Sequence, residues 1–293
     1  MEAVPWGFGI QEAPAREWSE GKGALISVAM FLGGIAGGTY LVSLYFNNIR
    51  GMFIGWLFAI AMGLVDSAHL RKPLRVWRIA LKANSSWISR GFIFVILFIG
   101  AAGLQLLLHL VTGNAAAAPG GAEIFFRVVA GILGFCVAIY SGFVVGFVGG
   151  IKFWSSGILP ILVVIGGLAG GSAILMSIMA YDSSSSFNVV QNLARFMLAG
   201  YAIALFVHLW VSTYNSEEAK DSALLMLKGN LAGLFWALII VVGVIVPLVL
   251  DFVAGANSTV LLMVSAALVL MGNLVMRYSV IKAGLYTPLI SGK

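Results

Sequence analysis

DSAHLRKPLRVWRIALKANSSWISR, residues 66–90, is a polar, basic island between two apolar runs, 51–70 and 91–112. It carries Arg71, Lys72, Arg75, Arg78, Lys82 and Arg90, six of the 17 Lys and Arg residues in the chain, while the flanking runs are almost free of charge. That contrast decides the fold. An unbroken apolar stretch of about 20 residues is what an α-helix needs to cross the hydrocarbon core, and a short basic segment between two of them is a membrane-flanking loop. Working outward, the same rhythm gives eight runs: 24–46, 51–70, 91–112, 124–147, 158–181, 190–213, 229–250 and 258–281. They are continuously apolar rather than alternating, which favours helices over barrel strands. The expected fold is an all-α integral membrane protein with eight transmembrane helices.

Composition agrees. Of 293 residues 61% are hydrophobic and 10% charged, with mean hydropathy +1.03; a soluble domain of this size has no interior large enough for so much apolar surface. The net charge of +6 does not point to nucleic acid, because the basic residues flank membrane spans, where orientation and anionic lipid account for them. The single cysteine, Cys136, falls mid-helix, which excludes disulfides and thiolate-held iron–sulfur clusters within the chain. The first 22 residues are polar, with Glu2, Glu12, Glu17 and Glu20. The first apolar run is too long for a signal-peptide core and lacks a small-residue exit, so it is expected to stay.

An even number of spans puts both termini on one side, together with loops 71–90, 148–157 and 214–228. That side collects Arg16, Lys22, the six basic residues of the island, Lys152, Lys220, Lys228, Lys282 and Lys293; the other has Arg50 and little else. The positive-inside rule then places both termini in the cytoplasm, in the inner (cytoplasmic) membrane. GGIAGG at 33–38 returns as GGLAGG at 166–171, and His69-Leu70 is echoed by His208-Leu209. Similar offsets suggest a tandem duplication of a four-helix unit, with the halves in parallel orientation. The expected organisation is a polar segment 1–23, a first four-helix bundle 24–150 and a second 151–293. Small residues also recur in membrane helices for close packing alone.

Asp66 and His69, at i and i+3, share a helix face one turn inside the end of the second span. Two readings are open. The pair exchanges protons beside a bound quinone, with His69 bonding a ring carbonyl; or Asp66 pairs with Arg71 or Lys72 and fixes the helix end. Pro73 breaks the helix, and residues 74–82 form an amphipathic segment with Leu74, Trp77 and Leu81 on one face and Arg75, Arg78 and Lys82 on another. It reads as an interfacial helix among membrane lipid head groups, as a docking platform for an acidic partner, or as both. Tyr140 lies at a depth near that of Asp66 and His69, deep for an interface anchor. Among three histidines only His69 and His208 lie near one membrane face, which argues against a bis-histidine haem. Arg127, Arg195 and Arg277 lie near helix ends and are expected to snorkel. No metal-ligand cluster, phosphate loop or nucleophile–base pair is present, so no catalytic or metal residue is assigned.

At these residues the chain resembles the NrfD family, the membrane subunits of polysulfide reductase, and is similar to the anchor subunits of dimethyl-sulfoxide-reductase-like enzymes. The likeness rests on FLGGIAGGTYL at 31–41, on D-x-x-H-L-x-x-P-L-R with S-S-W-I-S in 66–90, on YSGFVVGFVGGIKFWSSGILP at 140–160, and on GGLAGGSA at 166–173. It covers residues 24–175; the later half matches mainly in helix count. The resemblance implies a quinone-reactive anchor that exchanges electrons between the menaquinone or ubiquinone pool and a four-cluster iron–sulfur subunit. A molybdopterin catalytic subunit lies beyond that partner, and the anchor itself holds no haem. It implies a pocket among the first four helices, with the family's fourth-helix Tyr at Tyr140. The first-helix Asn and His of some polysulfide reductases are replaced near Ile26 and Ala29, leaving His69 as the better histidine. Quinone binding is therefore expected at Tyr140, His69, Asp66 and Arg71, and proton exchange at Asp66 and His69. Partner docking is expected at Arg71, Lys72, Arg75, Trp77, Arg78, Lys82, Trp87 and Arg90. Catalytic subunits of the family commonly face outward, whereas charge places this loop in the cytoplasm; the charge argument is preferred. The alternatives are a secondary transporter or proton-translocating protein, with Pro247 as its helix break, and a purely structural anchor.

Overall fold

The computed structural model describes residues 14–69, 73–112, 120–254 and 258–287; the side chains of His69, residues 73–76 and Thr112 lie outside the description. Its spanning helices are α1 (Ala24–Tyr45), α2 (Ile49–His69), α3 (Trp87–Thr112), α4 (Gly121–Gly146), α5 (Ile158–Tyr181), α6 (Phe187–Asn215), α7 (Leu234–Ala254) and α8 (Thr259–Lys282). All eight are long and apolar enough to cross a membrane. The all-helical, eight-span architecture is thus the expected one.

Boundaries differ where local chemistry intervenes. Between α6 and α7 the chain first makes a surface helix, Glu217–Leu227, whose N-cap Ser216 accepts the Ala219 N–H at 3.2 Å. This delays α7 from the expected 229 to Leu234. There α7 winds as a π-helix to Ile245 and reverts to α at Val246–Ala254. The change falls beside Pro247, which can open an α-helical segment but cannot supply an N–H to continue the previous one. The amphipathic segment is a 3₁₀-helix over Pro73–Lys82, unusually long for that type.

The centre of the molecule is the crossing of α1 and α5, made by the two small-residue repeats against each other. A Cβ on Gly38 would overlap the Gly167 carbonyl, one on Gly167 the Gly34 carbonyl, and one on Gly171 would press on Gly38 and Thr39 backbone. Only glycine lets two helix backbones touch in this way. Around this axis α1 packs on α2 and α4, and α5 on α6 and α8. The turns after α1 and α5 follow one backbone course. Asn47 and Ser183 both take φ of 50°, and the Asn48 and Ser184 N–H groups return to the Ser43 and Met179 carbonyls at 2.8 and 3.0 Å.

The two halves end differently on the basic side. Over the second half, residues 14–23, 147–157 and 283–287 interlock. The Ala15 N–H bonds the Gly284 carbonyl (3.1 Å) and the Thr287 N–H that of Gly150 (2.8 Å). The fully buried Trp154 donates its indole N–H to the Val280 carbonyl at 2.8 Å and meets Trp18 edge-on at 5.3 Å. Tyr286 bonds Glu17, and that bond holds the Tyr286 hydroxyl above the ordinary phenol range. The surface helix adds buried Ala219, Ala223 and Met226. Over the first half stands the 3₁₀ segment, with Trp77 57% and Leu81 72% exposed.

Candidate quinone site and buried polar clusters

Tyr140 projects from α4 less than two turns before the helix ends at Gly146. Its ring lies flush against Gly91 in the first turns of α3, where a Cβ would overlap ring atoms Cδ2 and Cε2. Gly142, two residues on, packs against Pro160 of α5 and fixes the height of α4. Tyr140 is only 9% exposed, whereas tyrosines at membrane interfaces elsewhere in the chain stand open, Tyr45 at 83% and Tyr214 at 80%. Asp66, near the end of α2, lies on an exposed part of its helix and within electrostatic reach of Tyr140. His69 is the last residue of α2, with its side chain outside the description. Arg71 and Lys72 lie outside the described residues, as does the side chain of Arg75.

The wall of this region is aromatic. Trp87 stacks on Phe143 at 4.5 Å and 16°, with Phe147 at 5.6 Å. The Arg90 guanidinium lies 4.7 Å over the Trp87 ring and donates to the Ala83 and Asn84 carbonyls at 2.8 and 3.0 Å. Trp87 and Arg90 are therefore turned inward and tie the loop to α3. Trp77, Arg78 and Lys82 are exposed and present an outward face.

Three polar clusters escaped the sequence reading, and the three arginines expected to snorkel sit in them. At the non-basic end of the first half, buried Glu123 accepts from Arg127 Nη2 (2.7 Å) and Nε (3.1 Å) and from Gln105 Nε2 (3.4 Å), and its carboxylate meets His109 Nδ1 at 3.2 Å. Tyr40 completes the chain through its hydroxyl to Gln105 Oε1 at 3.3 Å. At the same end of the second half, Arg195 donates to the Asp251 main-chain carbonyl and lies 4.2 Å over Phe252. The buried Asp251 carboxylate accepts from Ser265 at 2.6 Å. Arg277 of α8 is 2% exposed and faces Gly34 of α1. It donates to Asn273 Oδ1 (3.0 Å) and the Val163 carbonyl (3.2 Å), while its Nη1 has no partner among the described residues. Of these, Glu123 and Arg127 were legible as an i, i+4 acid–base pair. The Arg277 site was not, since it depends on which face α8 turns to α1 and α5. His208 is fully buried beside Phe153 (5.0 Å), with neither ring nitrogen partnered among the described residues.

Among the described residues no group of three or more His, Cys, Asp or Glu is placed to hold a metal ion. The chemistry available near Tyr140 is that of hydrogen bonding and proton exchange: a phenol, a carboxylate within electrostatic range, and aromatic faces. A search of curated proteins returns no significant match. A family model described as "Polysulphide reductase, NrfD" matches residues 23–289, nearly the whole chain and well past the part that the sequence motifs cover.

Proposed function

The chain belongs to the NrfD polysulphide reductase family, and from that membership we propose that it is the quinone-reactive anchor of an iron–sulfur molybdoenzyme. A quinol head group sits at the basic-side ends of α2, α3 and α4. Tyr140 holds one ring oxygen through its hydroxyl, and His69 the other. On oxidation the quinol gives up two protons and two electrons. Asp66 and His69 accept the protons in turn, as a carboxylate beside an imidazole can, and Arg71 tunes the field around them. The electrons leave to a cluster in the partner iron–sulfur subunit, which docks over loop 71–90 and passes them to the molybdopterin subunit. The ring need only lie within tunnelling range of that cluster, so this chain requires no redox centre. With both termini cytoplasmic, the partner lies on the cytoplasmic face of the inner membrane.

One observation carries this reading: Tyr140 is buried against a glycine near the basic-side end of α4. An interface anchor would stand open, as Tyr45 and Tyr214 do. The test is the whole complex in proteoliposomes. His69→Ala is expected to cut quinol-coupled turnover by about 10²-fold, the lower range for a lost proton-transfer group, and Tyr140→Phe, which loses a hydrogen bond to the quinol, by about ten-fold. Dye-linked turnover of the partner should be unchanged. Quinol rates at the wild-type level in both variants would remove the site. A purely structural anchor is separated by titrating a fluorescent quinone analogue, which such an anchor would not quench.

The transport alternative has one observation on its side. Arg277 is an intramembrane charge that makes no salt bridge among the described residues, and such groups often mark ion pathways.

A further inference from the structure

We propose that Arg90 is a positioning residue for the quinol: it fastens the end of the basic loop to the first turn of α3 and so holds the surface on which the Tyr140 ring rests. This deepens the head-group reading above and rests on it. Sequence alone put Arg90 and Trp87 on a docking face; their contacts give both another use.

The chain leaves the 3₁₀ segment after Lys82 and enters α3 at Trp87. A helix ends on main-chain carbonyls that have no partner of their own. Here the Lys82 carbonyl receives the Ser85 and Ser86 N–H groups, both at 3.1 Å. The next two carbonyls, those of Ala83 and Asn84, receive Nε and Nη2 of Arg90 at 2.8 and 3.0 Å. A side chain from the following helix thus closes the end of the preceding one. The same guanidinium lies 4.7 Å over the Trp87 ring. A lysine ammonium carries the charge but has no fixed fork to span two successive carbonyls. Arg90 makes no salt bridge among the described residues, so its hold on the loop comes from these bonds and the ring.

Trp87 opens a two-rung contact between α3 and α4. Trp87 and Gly91, four residues apart, share a face of α3; Tyr140 and Phe143, three apart, share a face of α4. Trp87 stacks on Phe143 at 4.5 Å, and Gly91 lies flush against Tyr140. Arg90 grips the first rung and precedes the second by one residue. Without it the loop comes away from Trp87, the first turn of α3 loses its clamp, and the Gly91 backbone no longer meets the ring at a fixed place. The Tyr140 hydroxyl, the proposed partner of a quinol oxygen, then loses its aim.

The test uses the complete complex in proteoliposomes with Arg90→Gln, Arg90→Lys, Tyr140→Phe and the double variant Arg90→Gln/Tyr140→Phe. Dye-linked turnover counts the assembled partner, and quinol KM and kcat are taken per dye-active complex. Arg90→Gln and Arg90→Lys are both expected to raise quinol KM by about three- to ten-fold, the usual effect of a lost hydrogen bond, with kcat changed less. In the double variant the increase due to Arg90→Gln should vanish relative to Tyr140→Phe alone, because nothing is left to position. Independent, multiplying effects in the double variant, or a wild-type KM in Arg90→Lys, would overturn the assignment. Loss of dye-linked turnover from the membrane, with a normal KM in the complexes that remain, would also overturn it and return Arg90 to the docking face. In each of these cases a quinol defect in Tyr140→Phe leaves the head-group reading standing. A wild-type quinol rate in Tyr140→Phe would bring down the two together.

Discussion

A single methyl group at position 91 would claim the volume that the Tyr140 ring occupies. Gly91→Ala must move either the ring or the start of α3, and crowding of this kind costs roughly 1–3 kcal/mol. We expect quinol turnover to fall at least ten-fold with dye-linked turnover intact. Gly91→Ala with a wild-type quinol rate and unchanged quinone-analogue affinity would show that the ring position is immaterial. The burial of Tyr140 was legible in the sequence because its depth along an apolar run set it apart from an interface tyrosine. Gly91 was not, because a glycine at the mouth of a helix carries no periodic signal, and its contact lies 49 residues away in the chain. Arg277 shows the opposite failure. Five residues from the end of α8 it reads as a snorkeller, yet tertiary packing turns it inward to Gly34 and Val163.

At the scale of the helix, the two glycine repeats announced close packing without naming the partner; the structure brings them onto each other. Gly167→Val puts a branched side chain into the Gly34 carbonyl of α1 and must separate the central pair. The expected result is a loss of about 2 kcal/mol or more, read as a lower unfolding midpoint in detergent. An unchanged midpoint would mean that α1 and α5 do not cross here. Helix count and approximate ends were readable because the bilayer imposes a length on every span. The exceptions have local causes. Ser216 caps an extra surface helix that delays α7, and Pro247 sits where its π-helical turns give way to α.

For the whole molecule, the charge imbalance between the two faces predicts its orientation. Cys136 is the only native cysteine and lies within α4, so a cysteine placed at exposed Ser85 reports alone. A membrane-impermeant maleimide should label Ser85→Cys in inverted vesicles and not in right-side-out ones. Labelling only from the outside would reverse the orientation and move the proposed partner to the outer face, with the helical architecture untouched. Membership in the family was readable from motifs between residues 31 and 173, since close-packing glycines and the polar residues of a membrane-flanking loop leave short ordered patterns in the sequence. The interlocked cap was invisible, because its hydrogen bonds join main-chain groups of three segments far apart in sequence.

That cap has a practical corollary. Residues 14–23 and 283–287 are stitched together above α5–α8, so labels placed within these two segments start from neighbouring points. They would stand over α5–α8 rather than on the exposed segment of Trp77 and Leu81. A ruler measurement between such a label and a labelled subunit would then read out the proposed assembly without disturbing it. Among the described residues one half of the protein is covered on the basic side by its own chain; in the proposed complex a different polypeptide covers the other.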